Sequence, residues 1–151
     1  MRPLAAIHIS AGLMAMVLIA LFWTSTVASE LSGDVALIVM AKTTVLYAMP
    51  FLVLAMAATG ASGMKLAGSS RAPVIVTKKR RMAVVAANGV GVLVPSAIYL
   101  AWRAGGGTFD TWFYAVQALE LTAGAVNFTL LVANARTGRR MTRGRRTAQR
   151  R

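Results

Sequence analysis

Four stretches of about twenty apolar residues occupy most of this chain, each the length that carries an α-helix across a ~30 Å hydrocarbon core. They lie at roughly residues 4–27, 35–58, 82–102 and 111–134. Inside lipid every backbone N–H and C=O must find a partner within the protein, and a continuous apolar run does so as a helix. The expected fold is therefore all-α: an integral membrane four-helix transmembrane bundle filling residues 1–135. A mean hydropathy of +0.62 and an apolar share of 57% exceed what an ordinary water-soluble domain carries. Arg2, the first run and the sequence STVAS look like a secretory leader with its cleavage site. The run is longer than a usual leader core, so it is read as an uncleaved first span.

The charge is distributed as sharply as the hydropathy. Fifteen of the seventeen basic residues fall at Arg2, between Lys65 and Arg81, or between Arg136 and Arg151. No acid lies in those places, whereas Glu30, Asp34 and Asp110 lie in the two other connections. Bases near span ends are retained in the cytoplasm. The expected orientation is N-in and C-in, in a cell inner membrane, with a cytoplasmic loop at 59–81 and a basic cytoplasmic tail at 136–151. The connections ASELSGD and RAGGGTFD are short and make antiparallel hairpins, and Thr108 or Asp110 can cap the last helix. Trp23, Trp102, Trp112 and Tyr114 fall near the outer boundary, where aromatic side chains favour the interface.

The tail has eight arginines in sixteen residues, is not expected to fold alone, and is expected to be disordered or lipid-associated. Arg136, Arg139, Arg140, Arg143, Arg145 and Arg146 suit anionic lipid headgroups, where each base contributes about 1 kcal/mol, or an acidic partner surface. Nucleic acid is disfavoured because the tail has no aromatic side chain on which a base can stack.

Polar residues inside the spans are costly in lipid and need individual explanations. Gln117, Glu120, Gly124, Asn127, Leu131 and Asn134 advance by three or four residues at a time, which places them on one stripe of the fourth helix. Such a stripe must face protein or water, and Gly124 within it permits a close backbone approach. Glu120 lies about nine residues from the outer end of its span and Lys42 about seven from the outer end of the second. At ~1.5 Å of rise per residue their depths differ by about 3 Å. They are the only acid and the only base inside the expected spans, so a Lys42–Glu120 ion pair is expected. The same counting pairs Asn88 with Asn127. Ala83, Ala87 and Gly91 repeat every four residues, as a close helix contact would require. Pro50 and Pro95 remove backbone donors and are expected to bend their helices.

The absence of cysteine removes disulfides, thiolate chemistry and cysteine-bound metals. No catalytic set and no metal-ligand spacing is visible. His8 is the single imidazole. It is a candidate haem b ligand only if a second copy or a methionine completes the pair. The nine methionines suggest copper(I) weakly, since Met14 and Met16 do not share a helix face. TGASGMKLAGSS lacks the strand and the Gly-Lys-Ser/Thr ending of a phosphate loop.

Three functions are compatible with these features. The first is a non-enzymatic accessory or structural subunit, or a homo-oligomer, held by its polar stripe. The second is a small oligomeric proton, ion or solute transporter using Lys42 and Glu120. The third is a haem- or quinone-binding redox subunit using His8.

Overall fold

The computed structural model describes residues 3–148, with side chains described over 3–141. Among these residues all regular structure is helical: α1 Pro3–Ser32, α2 Val35–Ala67, α3 Pro73–Asn88, a π-helical turn Gly89–Leu93, α4 Val94–Gly105 and α5 Thr111–Ala148. The α3, π-turn and α4 segments follow without a break. Four helices are therefore long and apolar enough to cross a membrane: Pro3–Ser32, Val35–Ala67, Pro73–Gly105 and Thr111–Met141. Large apolar side chains such as Tyr47, Phe51, Val90 and Trp102 face outward, so the helices are apolar on their outer as well as their inner faces.

The helices close into a ring. α1 packs against α2 and α5, and the α3–α4 rod packs against the same two. α2 and α5 thus stand on one diagonal, and their backbones do not approach each other among the described residues. One end of the ring holds the α1–α2 and α4–α5 turns (the turn end). The other, basic end holds the α2–α3 connection.

The turns are short because their residues stop helices sharply. Gly33 takes φ +66°, and the Asp34 Oδ1 then caps α2 by accepting the Ala36 N–H at 2.8 Å. At the other end of α2, Gly68 takes φ +51° and Lys79 Nζ donates to its carbonyl at 3.2 Å. Pro73 starts α3, where its missing N–H costs nothing. Asp110 caps α5, its Oδ1 accepting the Phe113 N–H at 3.0 Å.

Four expectations differ from the structure. The loop expected at 59–81 contracts to residues 68–72, because α2 runs on through Lys65 and α3 begins at Pro73. The segment 136–148, expected not to fold alone, continues α5. An existing helix extends at little cost, and arginine is a good helix former. Ala83, Ala87 and Gly91 are exposed rather than packed, because the rod presents Val85 and Asn88 to α5 instead. Glu30, placed by its sequence in a connection, belongs to α1.

Pro95 acts through the π-turn. The Val94 N–H bonds the Gly89 carbonyl, five residues back, just before the proline that cannot donate. Apolar layers fill the ring at several depths. Ile38, Leu100, Ala104 and Phe113 pack near the turn end. Val45, Met49 and Ala97 come next, and Ile19, Val85 and Leu131 lie deeper.

Candidate functional site: a charged layer across the bundle

The α5 stripe faces the interior along its length. Gln117, Gly124, Asn127, Leu131 and Asn134 are buried, and the Glu120 side chain is 12% exposed. Helical periodicity alone puts these residues on one face, and the contact of α5 with both α1 and the α3–α4 rod turns that face inward.

Lys42 is the most deeply enclosed charged side chain among the described residues, at 1% exposure. Its Nζ lies 2.8 Å from Glu120 Oε2. The contact spans the diagonal between α2 and α5, which side chains alone can bridge here. A lysine stem of four methylenes has the reach, and it passes through the apolar core as such stems readily do.

α1 contributes a third charged group. Ala15, Ile19, Thr26 and Ser29 form its buried face, and Glu30 follows Thr26 by four residues on that side. The Glu30 carboxylate lies in the last turn of α1. Its Oε1 is buried and has no hydrogen-bond partner among the described residues. The alternation of three- and four-residue steps down α1 is the signal that could have found it; placing the span end at residue 27 hid it. One turn from Glu120 towards the turn end, Gln117 is 4% exposed, with neither Oε1 nor Nε2 partnered. A cavity of about 50 Å³ adjoins the layer, lined in part by Thr26, Trp23, Glu120 and Gly124.

Deeper in the ring Asn127 ties α5 to α3. Its Oδ1 accepts from Asn88 Nδ2 at 2.8 Å, and its own Nδ2 donates to the Val85 carbonyl at 3.2 Å. Asn88 Nδ2 also reaches the Ala123 carbonyl at 2.9 Å. Asn134 Nδ2 lies 3.4 Å from the Lys78 carbonyl. Gly124 admits a side chain rather than a backbone: the Trp23 indole lies over it and donates to the Leu121 carbonyl at 3.1 Å.

His8 stands near the basic end. Its Nδ1 lies 3.1 Å from both the Thr59 carbonyl and Ser62 Oγ. Gly63 leaves the ring its space, since a Cβ there would sit 3.1 Å from His8 Cε1. His8 is thus separated from the charged layer by most of the length of α1. Arg136, Arg139 and Arg140 are exposed on α5, while the side chains of Arg143, Arg145 and Arg146 lie outside the described residues. At the turn end Arg103 pairs with Asp110, a contact that sequence reading did not anticipate. The N–H of Phe113 and then the Arg103 guanidinium hold the Asp110 carboxyl below its ordinary pKa. No group of His, Cys, Asp or Glu suited to a metal ion occurs among the described residues.

Comparison with known proteins adds no functional assignment: no family model, curated protein or solved structure matches the chain.

Proposed function

We propose that this chain is a non-enzymatic, multi-pass inner-membrane protein with both termini in the cytoplasm, acting as an accessory or structural subunit or as a homo-oligomer. Its charged layer selects one arrangement of four otherwise apolar helices. The observation that carries this reading is the Lys42–Glu120 contact across the α2–α5 diagonal. Lipid supplies no hydrophobic force that distinguishes one apolar helix partner from another. A wrong arrangement would leave an ammonium or a carboxylate unpaired in a low-dielectric interior, which is strongly unfavourable. Bases gathered at one end of the ring support the orientation. The outward apolar side chains support contact with lipid or with neighbouring subunits.

Exchanging the charges tests the role of the pair. Lys42→Glu and Glu120→Lys should each lower accumulation of the folded protein, and the double exchange should restore it. Normal accumulation of both single variants would overturn the scaffold reading. Mild-detergent purification then reports the company the chain keeps, as a larger complex or as copies of itself. A chain that purifies only as a monomer would overturn the subunit reading.

A second reading, a small proton or ion carrier, is favoured by one observation. The Glu30 Oε1 is buried and has no hydrogen-bond partner among the described residues.

A further inference from the structure

Three of the chain's acidic side chains, Glu30, Asp34 and Asp110, stand at the turn end of the ring. The remaining one, Glu120, is taken by Lys42 and lies about 27 Å from Gly138 along α5. The basic end therefore has no acidic side chain of its own. Two of its cations are nevertheless drawn in from solvent: Lys78 and Arg81, three residues apart on α3, are half-buried. Residues at that spacing are neighbours on a helix, and like charges there repel. Lys79 between them donates to the Gly68 carbonyl at 3.2 Å, whereas neither Lys78 nor Arg81 meets an acceptor among the described residues. The Lys78 ammonium is held in a defined place all the same. It lies against Gly138 of α5, where an added Cβ would come 3.4 Å from Nζ. Asn134, one turn earlier on α5, fixes the α3 backbone there, its Nδ2 lying 3.4 Å from the Lys78 carbonyl. Asn134 Oδ1 is itself buried and unpartnered, so it does not receive the ammonium.

Depth identifies the missing anion. Lys78 lies four residues beyond the apolar run that ends at Met82, and Gly138 four beyond the run that ends at Asn134. At ~1.5 Å of rise per residue, both stand about 6 Å outside the hydrocarbon. The headgroup layer on each face is about 5–8 Å thick, since a ~30 Å core widens to ~40–45 Å for the whole bilayer. Two helices counted separately thus put the ammonium level with the lipid phosphates. Arg81 stands about 4.5 Å nearer the hydrocarbon. We infer that the α3–α5 seam at the basic end binds the headgroup of an anionic phospholipid, with Lys78 on its phosphate and Arg81 beside it. Basic pockets between membrane helices hold anionic headgroups in this way. The phosphate relieves the repulsion between two neighbouring cations that no protein acid offsets. Arg136, Arg139 and Arg140 differ, because they are exposed and attract the lipid surface as a whole. The inference rests on the four helices crossing a membrane and not on the subunit role.

The chain's lysines are Lys42, Lys65, Lys78 and Lys79, so amine labelling reads the site directly. The full-length protein is placed in phosphatidylcholine nanodiscs with and without added phosphatidylglycerol. It is then reductively methylated, and the modified peptides are quantified by mass spectrometry. Phosphatidylglycerol should slow the labelling of Lys78 about fivefold relative to Lys65, which is exposed and reports the general surface field. That factor is the equivalent of the ~1 kcal/mol that a base gains at an anionic lipid surface. Gly138→Leu keeps every charge but fills the space beside Nζ, and it should remove the selective slowing. Equal slowing of Lys65 and Lys78 would overturn the inference, because the attraction would then be diffuse. So would protection of Lys78 by inorganic phosphate in phosphatidylcholine nanodiscs, because the site would then take a soluble anion. A chain that stays in solution without lipid or detergent would overturn the membrane reading itself, and the lipid site with it. The decisive comparison uses the unsubstituted protein, so a Gly138→Leu variant that fails to fold leaves the result standing.

Discussion

Lys42 and Glu120 join the two helices that the ring keeps apart. The 2.8 Å contact crosses the α2–α5 diagonal, whereas the other side-chain hydrogen bonds between helices among the described residues link neighbours in the ring. The pair therefore reports on the whole arrangement and not on one helix interface. Removing one partner should cost about 3–5 kcal/mol, the usual penalty for stranding a buried charge. Lys42→Met and Glu120→Leu should each show that loss in reversible unfolding in mild detergent. The double variant should recover most of it, because well-packed apolar side chains replace a buried pair at little cost. Additive losses in the double variant would mean that the two side chains do not act as a pair.

Asn127 uses its carbonyl and its amide together, bonding Asn88 and the Val85 carbonyl at 2.8 and 3.2 Å. Inter-helix hydrogen bonds in membrane proteins average about 0.6 kcal/mol and reach about 1.7. Asn127→Leu should fall near the upper end of that range and Asn88→Ala nearer the middle. A double-mutant cycle between them should give a non-zero coupling. Strict additivity would remove this contact from the set that holds α3 to α5.

Gly63 and His8 should be coupled through space. A Cβ at Gly63 would press on the imidazole at 3.1 Å, closer than ordinary van der Waals contact. Gly63→Ala should displace His8 from Thr59 and Ser62 and shift the resonances of the single histidine ring. In a His8→Ala background the same change should be nearly neutral for stability. An unchanged imidazole spectrum in Gly63→Ala would contradict the geometry.

Asp110 sets an acid-side dependence. Its folded-state pKa is depressed, first by the Phe113 N–H and then by Arg103. A depressed carboxyl contributes stability that is fully present above its unfolded pKa and is lost as pH falls through the folded value. Thermal unfolding followed from neutral pH down through the carboxylate range should therefore show a loss that Asp110→Asn reduces. The variant should be less stable than the parent at neutral pH and converge with it in acid. Parallel curves would show that the cap and the Arg103 pair are not linked to folding.

The absence of cysteine allows topology to be read with single introduced thiols. Ser32→Cys and Gly105→Cys, at the turn end, should react with a membrane-impermeant reagent added outside intact cells. Ser70→Cys, between α2 and α3, should react only after the membrane is opened. The reverse pattern would invert the proposed orientation.

Some of this organisation is local and legible in the chain by itself. Span length depends on a run of apolar residues, and the face occupied by Gln117, Glu120, Asn127 and Asn134 depends on helical periodicity within one segment. Depth counting works for the same reason: rise per residue is constant, so Lys42 can be matched to Glu120, and Asn88 to Asn127, before any packing is known. Helix rotation and helix neighbours are not local. Ala83, Ala87 and Gly91 have the spacing of a contact face, yet the rod turns them outward to deliver Asn88 and Val85 to α5. Glu30 reads as a connection residue until α1 is seen to continue through Ser32 and to lay its Thr26–Ser29 face on the bundle interior. Only the closed ring, with α2 and α5 on its diagonal, brings the Glu120 carboxylate to the Lys42 ammonium, because that meeting depends on how both helices turn toward a common centre.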